Sequence, residues 1–135
     1  MKVYISGKIG QEDITPDIRD KFLKAQRAVE AQGQEAFNPT DPDWQKDLRK
    51  GYERAKAQQP NGDKVSFYAY CLLRDMMVLA TCDCILLLDV KDILGSLAEW
   101  IFSSAIGLPF FAFGDGEIKL PSQADVQIAF DQNIT

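Results

Sequence analysis

Apolar positions in this chain fall alternately into short extended runs and helical stripes, and the alternation predicts an α/β domain. Lys2 to Ser6 is a β-branched and aromatic run that reads as a first strand. Thr15-Pro16 then looks like an N-cap followed by proline at the first helical position. Ile18, Phe22, Ala25 and Val29 recur at helical spacing behind it, and Gly33 supplies the stop. Glu35 to Asn38 is a brief second strand. Asn38-Pro39-Thr40-Asp41-Pro42 must be a loop, because each proline biases its predecessor to extended geometry. Trp44, Leu48, Tyr52 and Ala55 mark one face of a highly charged helix, and Gln58 to Lys64 is the most loop-like segment. Ser66 to Ala80 reads as a third helix.

The centre of the pattern is Cys82 to Gly107. The apolar run Cys84 to Leu88, closed by Asp83 and Asp89, reads as a buried parallel strand. A loop, Gly95, and an amphipathic helix with Glu99 in its first turn follow, and Gly107 ends that helix. Pro109 to Phe113 is expected as a fourth parallel strand, Gly114-Asp115-Gly116 as a turn, and Ile118 to Leu120 as a short extended piece. Ser122 and Asp125 have the spacing of a capping box for a last helix. Together these predict a single domain over residues 1–135. Its expected form is a three-layer α/β sandwich with a central parallel sheet of flavodoxin/Rossmann-like order 2-1-3-4-5 and helices on both faces. Ligands of such sheets bind beyond the carboxyl ends of the strands. Asp89, Asp92 and Glu99 fall there.

Composition narrows the possibilities. With 135 residues, 46% of them hydrophobic and 26% charged, the chain can bury a core and is not a disordered segment. A net charge of −5 without any basic tract counts against a module for nucleic-acid polymers. MKVYISG is too short and polar for a signal peptide, and the lipophilic stretch Ile93 to Phe113 is interrupted by Glu99, Gly107 and Pro109, which counts against a membrane span. Cys71, Cys82 and Cys84, with no export signal, read as reduced thiols of a cytoplasmic protein. Strand alternation would put Cys82 and Cys84 on one face, and without histidine such a pair is a poor metal site, so no metal is expected.

Three places can carry chemistry. Ser6-Gly7-Lys8-Ile9-Gly10 offers glycines, a hydroxyl and an ammonium after the first strand, either a cradle for a phosphate or sugar hydroxyl or a plain strand-to-helix turn. Asp75 sits mid-helix among largely apolar neighbours, an uncomfortable position for a merely solvated acid. Glu99 completes S-x-x-E with Ser96, so it either caps its own helix or uses the same helix end to remain ionised as a nucleophile. A carboxylate is competent toward an anomeric carbon, whose transition state is oxocarbenium-like. A second acid would assist the leaving base or orient the sugar, and Asp75, Asp89 and Asp92 are the candidates.

MKVYISGKIG, Arg74-Asp75-Met76, the Cys82-Asp83 strand start and Gly95-x-x-x-Glu99 together resemble the nucleoside 2-deoxyribosyltransferase superfamily. The closest likeness is to its small DUF4406-type branch. The likeness covers Met1 to Phe113, apart from the stretch 40–64, which looks like an insertion; the segment 114–135 is extra. The resemblance implies a retaining mechanism in which Glu99 attacks C1 of a nucleoside or nucleotide, with Tyr4 nearby and Asp75 matching the family's helix aspartate. It also implies a 5′-phosphate at Ser6-Gly7-Lys8, and a homo-oligomer. One departure is that Ile93 stands where the transferases have an aspartate, with Asp92 one position further back. The expected catalytic set is Glu99, Asp75 and Tyr4. Ser6, Gly7, Lys8, Ile9, Asp89, Asp92, Gly95 and Ser96 are expected to meet a small-molecule nucleoside or nucleotide, with no cofactor. A non-catalytic nucleotide-binding or sensing module on the same fold is the alternative.

Overall fold

The computed structural model describes residues 1–9, 14–58, 66–88, 97–114 and 116–119. In chain order the elements are β1 (Lys2–Ser6), α1 (Pro16–Ala31), β2 (Glu35–Phe37), α2 (Pro42–Gln58), α3 (Phe67–Leu79), β3 (Cys84–Leu87), α4 (Leu97–Ala105), β4 (Phe110–Gly114) and β5 (Glu117–Lys119). Local chemistry sets several of these boundaries. The Thr15 hydroxyl accepts from the Ile18 amide at 3.2 Å and Pro16 opens α1, while Gly33 leaves it with φ +76°. Ser66 caps α3 by accepting from the Ala69 amide at 3.0 Å. Asp41 Oδ1 accepts from the amides of Asp43 and Trp44 at 2.9 and 3.3 Å, which starts α2 directly after the Pro39–Pro42 loop. No helix among the described residues is long and apolar enough to cross a membrane.

The strands pair in the order β2-β1-β3-β4-β5, the order expected from the sequence. β2, β1, β3 and β4 are parallel, with Tyr4 opposite Phe37 on one side and Ile85 on the other. β5 corrects the expectation of a wholly parallel sheet: it pairs antiparallel to β4, Phe113 opposite Ile118. Only residues 115 and 116 separate Gly114 from Glu117, a connection that can close a hairpin, whereas a parallel partner needs a crossover of roughly a dozen residues or more. Gly116, at φ +77°, provides the left-handed backbone such a turn uses. The sheet is therefore mixed.

Alternation along β1 and β3 divides the core in two. Val3, Ile5, Cys84 and Leu86 pack with Leu88 and with Phe22, Ala25 and Val29 of α1. Tyr4, Ile85 and Leu87 join Leu79 and Cys82, with Met76 and Phe102 packed against them from α3 and α4. Cys82 and Cys84 thus belong to different clusters, against the expectation that both thiols share a face. The reason is that Cys82 lies in the turn after α3, ahead of the first residue of β3, so the strand's period of two does not reach it. Asp83, which bounds the apolar run, closes the amino end of the sheet. Its carboxylate accepts from the Lys2 amide at 2.7 Å while its own amide donates to the Lys2 carbonyl at 2.8 Å.

The chain leaves β1 for β2 on one side and returns to place β3 on the other. The carboxyl ends of β1 and β3 consequently flank the point where the strand order reverses, which is where open α/β sheets hold their ligands.

Candidate functional site

Tyr4 and Ser6 are two positions apart on β1, so their side chains emerge on the same face of the sheet. Both reach one carboxylate. The Tyr4 hydroxyl donates to Glu99 Oε1 at 3.0 Å, and the Ser6 hydroxyl donates to Glu99 Oε2 at a longer 3.3 Å. Tyr4 and Ser6 are fully buried and Glu99 is 6% exposed. Glu99 stands in the first turn of α4, yet its oxygens are held from the neighbouring strand. Ser96, its partner in the capping alternative, lies outside the described residues.

Asp75, on α3, is 8% exposed, although it stands in the middle of a helix. Its Oδ1 accepts from the Trp44 indole N–H at 2.9 Å. A line of aromatic contacts joins the two acids from behind. Phe37 lies 5.2 Å from the Tyr4 ring and meets Trp44 edge-on at 5.1 Å between centroids. The Arg74 guanidinium lies 5.7 Å from the centre of the Trp44 ring.

Burial governs the ionisation of all three groups. It pushes the Glu99 carboxyl up to about 7, against the pull of the Tyr4 and Ser6 hydrogen bonds and with a further push from the charge on Asp75. Burial likewise takes Asp75 to about 7, opposed by the Trp44 hydrogen bond and by the Arg74 charge. The Tyr4 phenol rises well above its ordinary value, first through burial and then through the charges of Glu99 and Asp75, so it stays a neutral donor. Two carboxyls poised near neutrality beside a fixed phenol can supply a nucleophile, or exchange a proton, without leaving the physiological range.

Of the residues expected from the sequence, Glu99, Tyr4 and Ser6 come together, and Asp75 stands near enough for its charge to act on Glu99 and Tyr4. At Gly7 a Cβ would stand 3.0 Å from Phe22 Cζ and 3.1 Å from Leu88 Cδ1, a tight fit against the cluster on the α1 side. Ile9 also packs against the α1-side cluster, across the sheet from Glu99. Lys8 is exposed. Asp89, Asp92, Gly95 and Ser96 lie outside the described residues.

Trp44 was legible only as a member of a helical stripe, in a segment that looked like an insertion. The available signal was its place directly after Asn38-Pro39-Thr40-Asp41-Pro42, a loop leaving the carboxyl end of the second strand. That loop is tied down: Asn38 Oδ1 accepts from the Thr40 amide and hydroxyl at 2.9 and 2.7 Å, and Thr40 is fully buried. Comparison with protein-family models, curated proteins and solved structures gave no match for this chain.

Proposed function

We propose that this protein cleaves or transfers the N-glycosidic bond of a nucleoside or nucleotide, with Glu99 as the nucleophile. The ionised Glu99 attacks C1 of the sugar, the C1–N bond breaks with its electron pair passing to the base, and the base takes up a proton as it leaves. Water or a second base then displaces Glu99 from C1, restoring the carboxylate and the original anomeric configuration. Tyr4 orients the attacking carboxylate. Asp75 orients the sugar or assists the departing base.

The observation that carries this reading is the grip on Glu99: both of its oxygens are held by β1 side chains at the sheet's switch point, within reach of the Asp75 charge. A carboxylate serving only as a helix cap would have no use for Tyr4 and Ser6. Each carboxylate oxygen keeps a further lone pair for C1. The three-layer arrangement, a cytoplasmic location and a homo-oligomer belong to the same proposal. The free thiols support the second of these, and Leu73 and Met77, about 60% exposed on α3, support the third.

The test is incubation with a panel of nucleosides and nucleotides, reading free base by chromatography for the native protein and for Glu99→Ala. Base release that falls by at least roughly a thousandfold in the variant is the expected result. Release that survives Glu99→Ala overturns the mechanism. Thermal stabilisation by a nucleotide with no release from it selects the binding or sensing module instead. The native activity should rise with pH through about 7 as Glu99 ionises.

A further inference from the structure

We propose that Trp44 is a positioning residue of this site: its indole N–H fixes the carboxylate of Asp75, which makes α2 part of the catalytic frame rather than a surface insertion. The inference deepens the reading above and rests on it only for its catalytic consequence.

Asp75 needs a hydrogen-bond donor. It lies at 8% exposure on a helix whose neighbouring side chains are mostly apolar. A buried carboxylate without donors is costly, and the indole N–H is a donor with no acceptor capacity of its own. The 2.9 Å bond to Oδ1 therefore sets which way the carboxylate faces, and so where Oδ2 is presented. Trp44 is in turn held at several points. Its backbone amide donates to Asp41, its ring meets Phe37 edge-on, and Phe37 packs on Tyr4. One rigid line thus runs from the loop after β2, through Trp44, to both acids.

The charged and titratable groups that face Asp75 come from three elements. Tyr4 is on β1, Glu99 on α4, Arg74 and Cys71 on α3 itself, and Arg49 on α2 acts on Cys71. Arg74 and the Trp44 hydrogen bond both favour the ionised form of Asp75, and burial opposes them. Removing the N–H while keeping the ring should therefore let Asp75 hold its proton to higher pH. If Trp44 were packing alone, the same change would leave the titration where it is.

The experiment is carboxyl 13C NMR titration of Asp75 in the native protein and in a variant carrying β-(3-benzothienyl)alanine at position 44, an isostere of tryptophan without the N–H. The Asp75 midpoint should rise by about one pH unit in the variant, the effect of losing one hydrogen bond to a charged group. In the native protein the indole 1H–15N resonance of Trp44, identified by its loss in Trp44→Phe, should titrate with the Asp75 midpoint, and Asp75→Asn should abolish that movement. An unchanged Asp75 midpoint in the isostere overturns the proposal, as does a Trp44 indole resonance that ignores pH in the native protein. Neither readout needs a substrate, so failure to find base release leaves this inference standing, and its own failure leaves Glu99 as the nucleophile.

Discussion

The Tyr4 hydroxyl and Glu99 Oε1 are 95 residues apart in sequence and 3.0 Å apart in space. Tyr4 is on a central strand and Glu99 opens a helix that packs over it, so neither can move without disturbing the core. The bond joins a buried donor that stays neutral to a buried acid that titrates near neutrality.

Tyr4→Phe keeps the ring against Phe37 and deletes the donor. Glu99 then loses the strongest influence favouring its ionised form. The variant should cost about 1.5–3 kcal/mol at pH 8, where the acceptor is charged, and less at pH 5. Urea unfolding at the two pH values measures the difference, and an equal cost at both would show that the bond does not discriminate charge. The acid limb of any base-release activity should move to higher pH.

Stability should fall as pH rises toward 8. Glu99 and Asp75 are both raised in the folded state, to about 7, from ordinary carboxylate values near 4. Between those values the folded protein binds more protons than the unfolded chain, so the stabilisation is complete below about pH 4 and is lost as pH climbs through about 7. Each tenfold difference in proton affinity is worth about 1.4 kcal/mol, so the pH dependence of this pair is large enough to read in a melt. Thermal melts from pH 5 to pH 8.5 should show Tm falling. Glu99→Gln, which removes one of the two titrations, should flatten the slope, and an unchanged slope would contradict the assignment.

Gly7→Ala should destabilise by about 1–3 kcal/mol, because its Cβ would press on Phe22 and Leu88 in a filled core. The urea midpoint reads this directly. Were the glycine needed instead for backbone approach to an anion, the variant would keep its stability and lose nucleotide affinity.

Gly51→Ala should also destabilise, although alanine in a helix interior is ordinarily favoured by roughly 0.5–1 kcal/mol. A Cβ at this point of α2 collides with the Tyr70 hydroxyl, which accepts from Arg74 Nη1 at 2.8 Å. Tyr70 is wedged by Tyr52, with ring centres 5.7 Å apart, so the collision outweighs the helical gain. A raised Tm would show that Tyr70 swings aside freely.

The sequence by itself determined the elements of the described residues and the order of the strands. Short apolar and β-branched runs at Lys2–Ser6 and Cys84–Leu87, helical stripes between them, and the cap at Thr15 are local signals, and each is read within a few residues. It also made Glu99 and Asp75 candidates, because an acid in a first turn after a buried strand and an acid in an apolar helix are both conspicuous along the chain. What it left open was which way each side chain faces. Glu99 as helix cap and Glu99 as strand-held acid share the same letters, and only the packing of α4 over β1 brings its oxygens to Tyr4 and Ser6. The same holds for Gly7, whose missing side chain serves Phe22 and Leu88, and for Cys82, which the turn before β3 turns away from Cys84. Trp44 was the least legible, because its partner lies 31 residues on in another helix. Tertiary structure decided these points because a hydrogen bond between elements depends on how they dock, and docking is set by burial summed over the whole core, not by any one stretch of the chain.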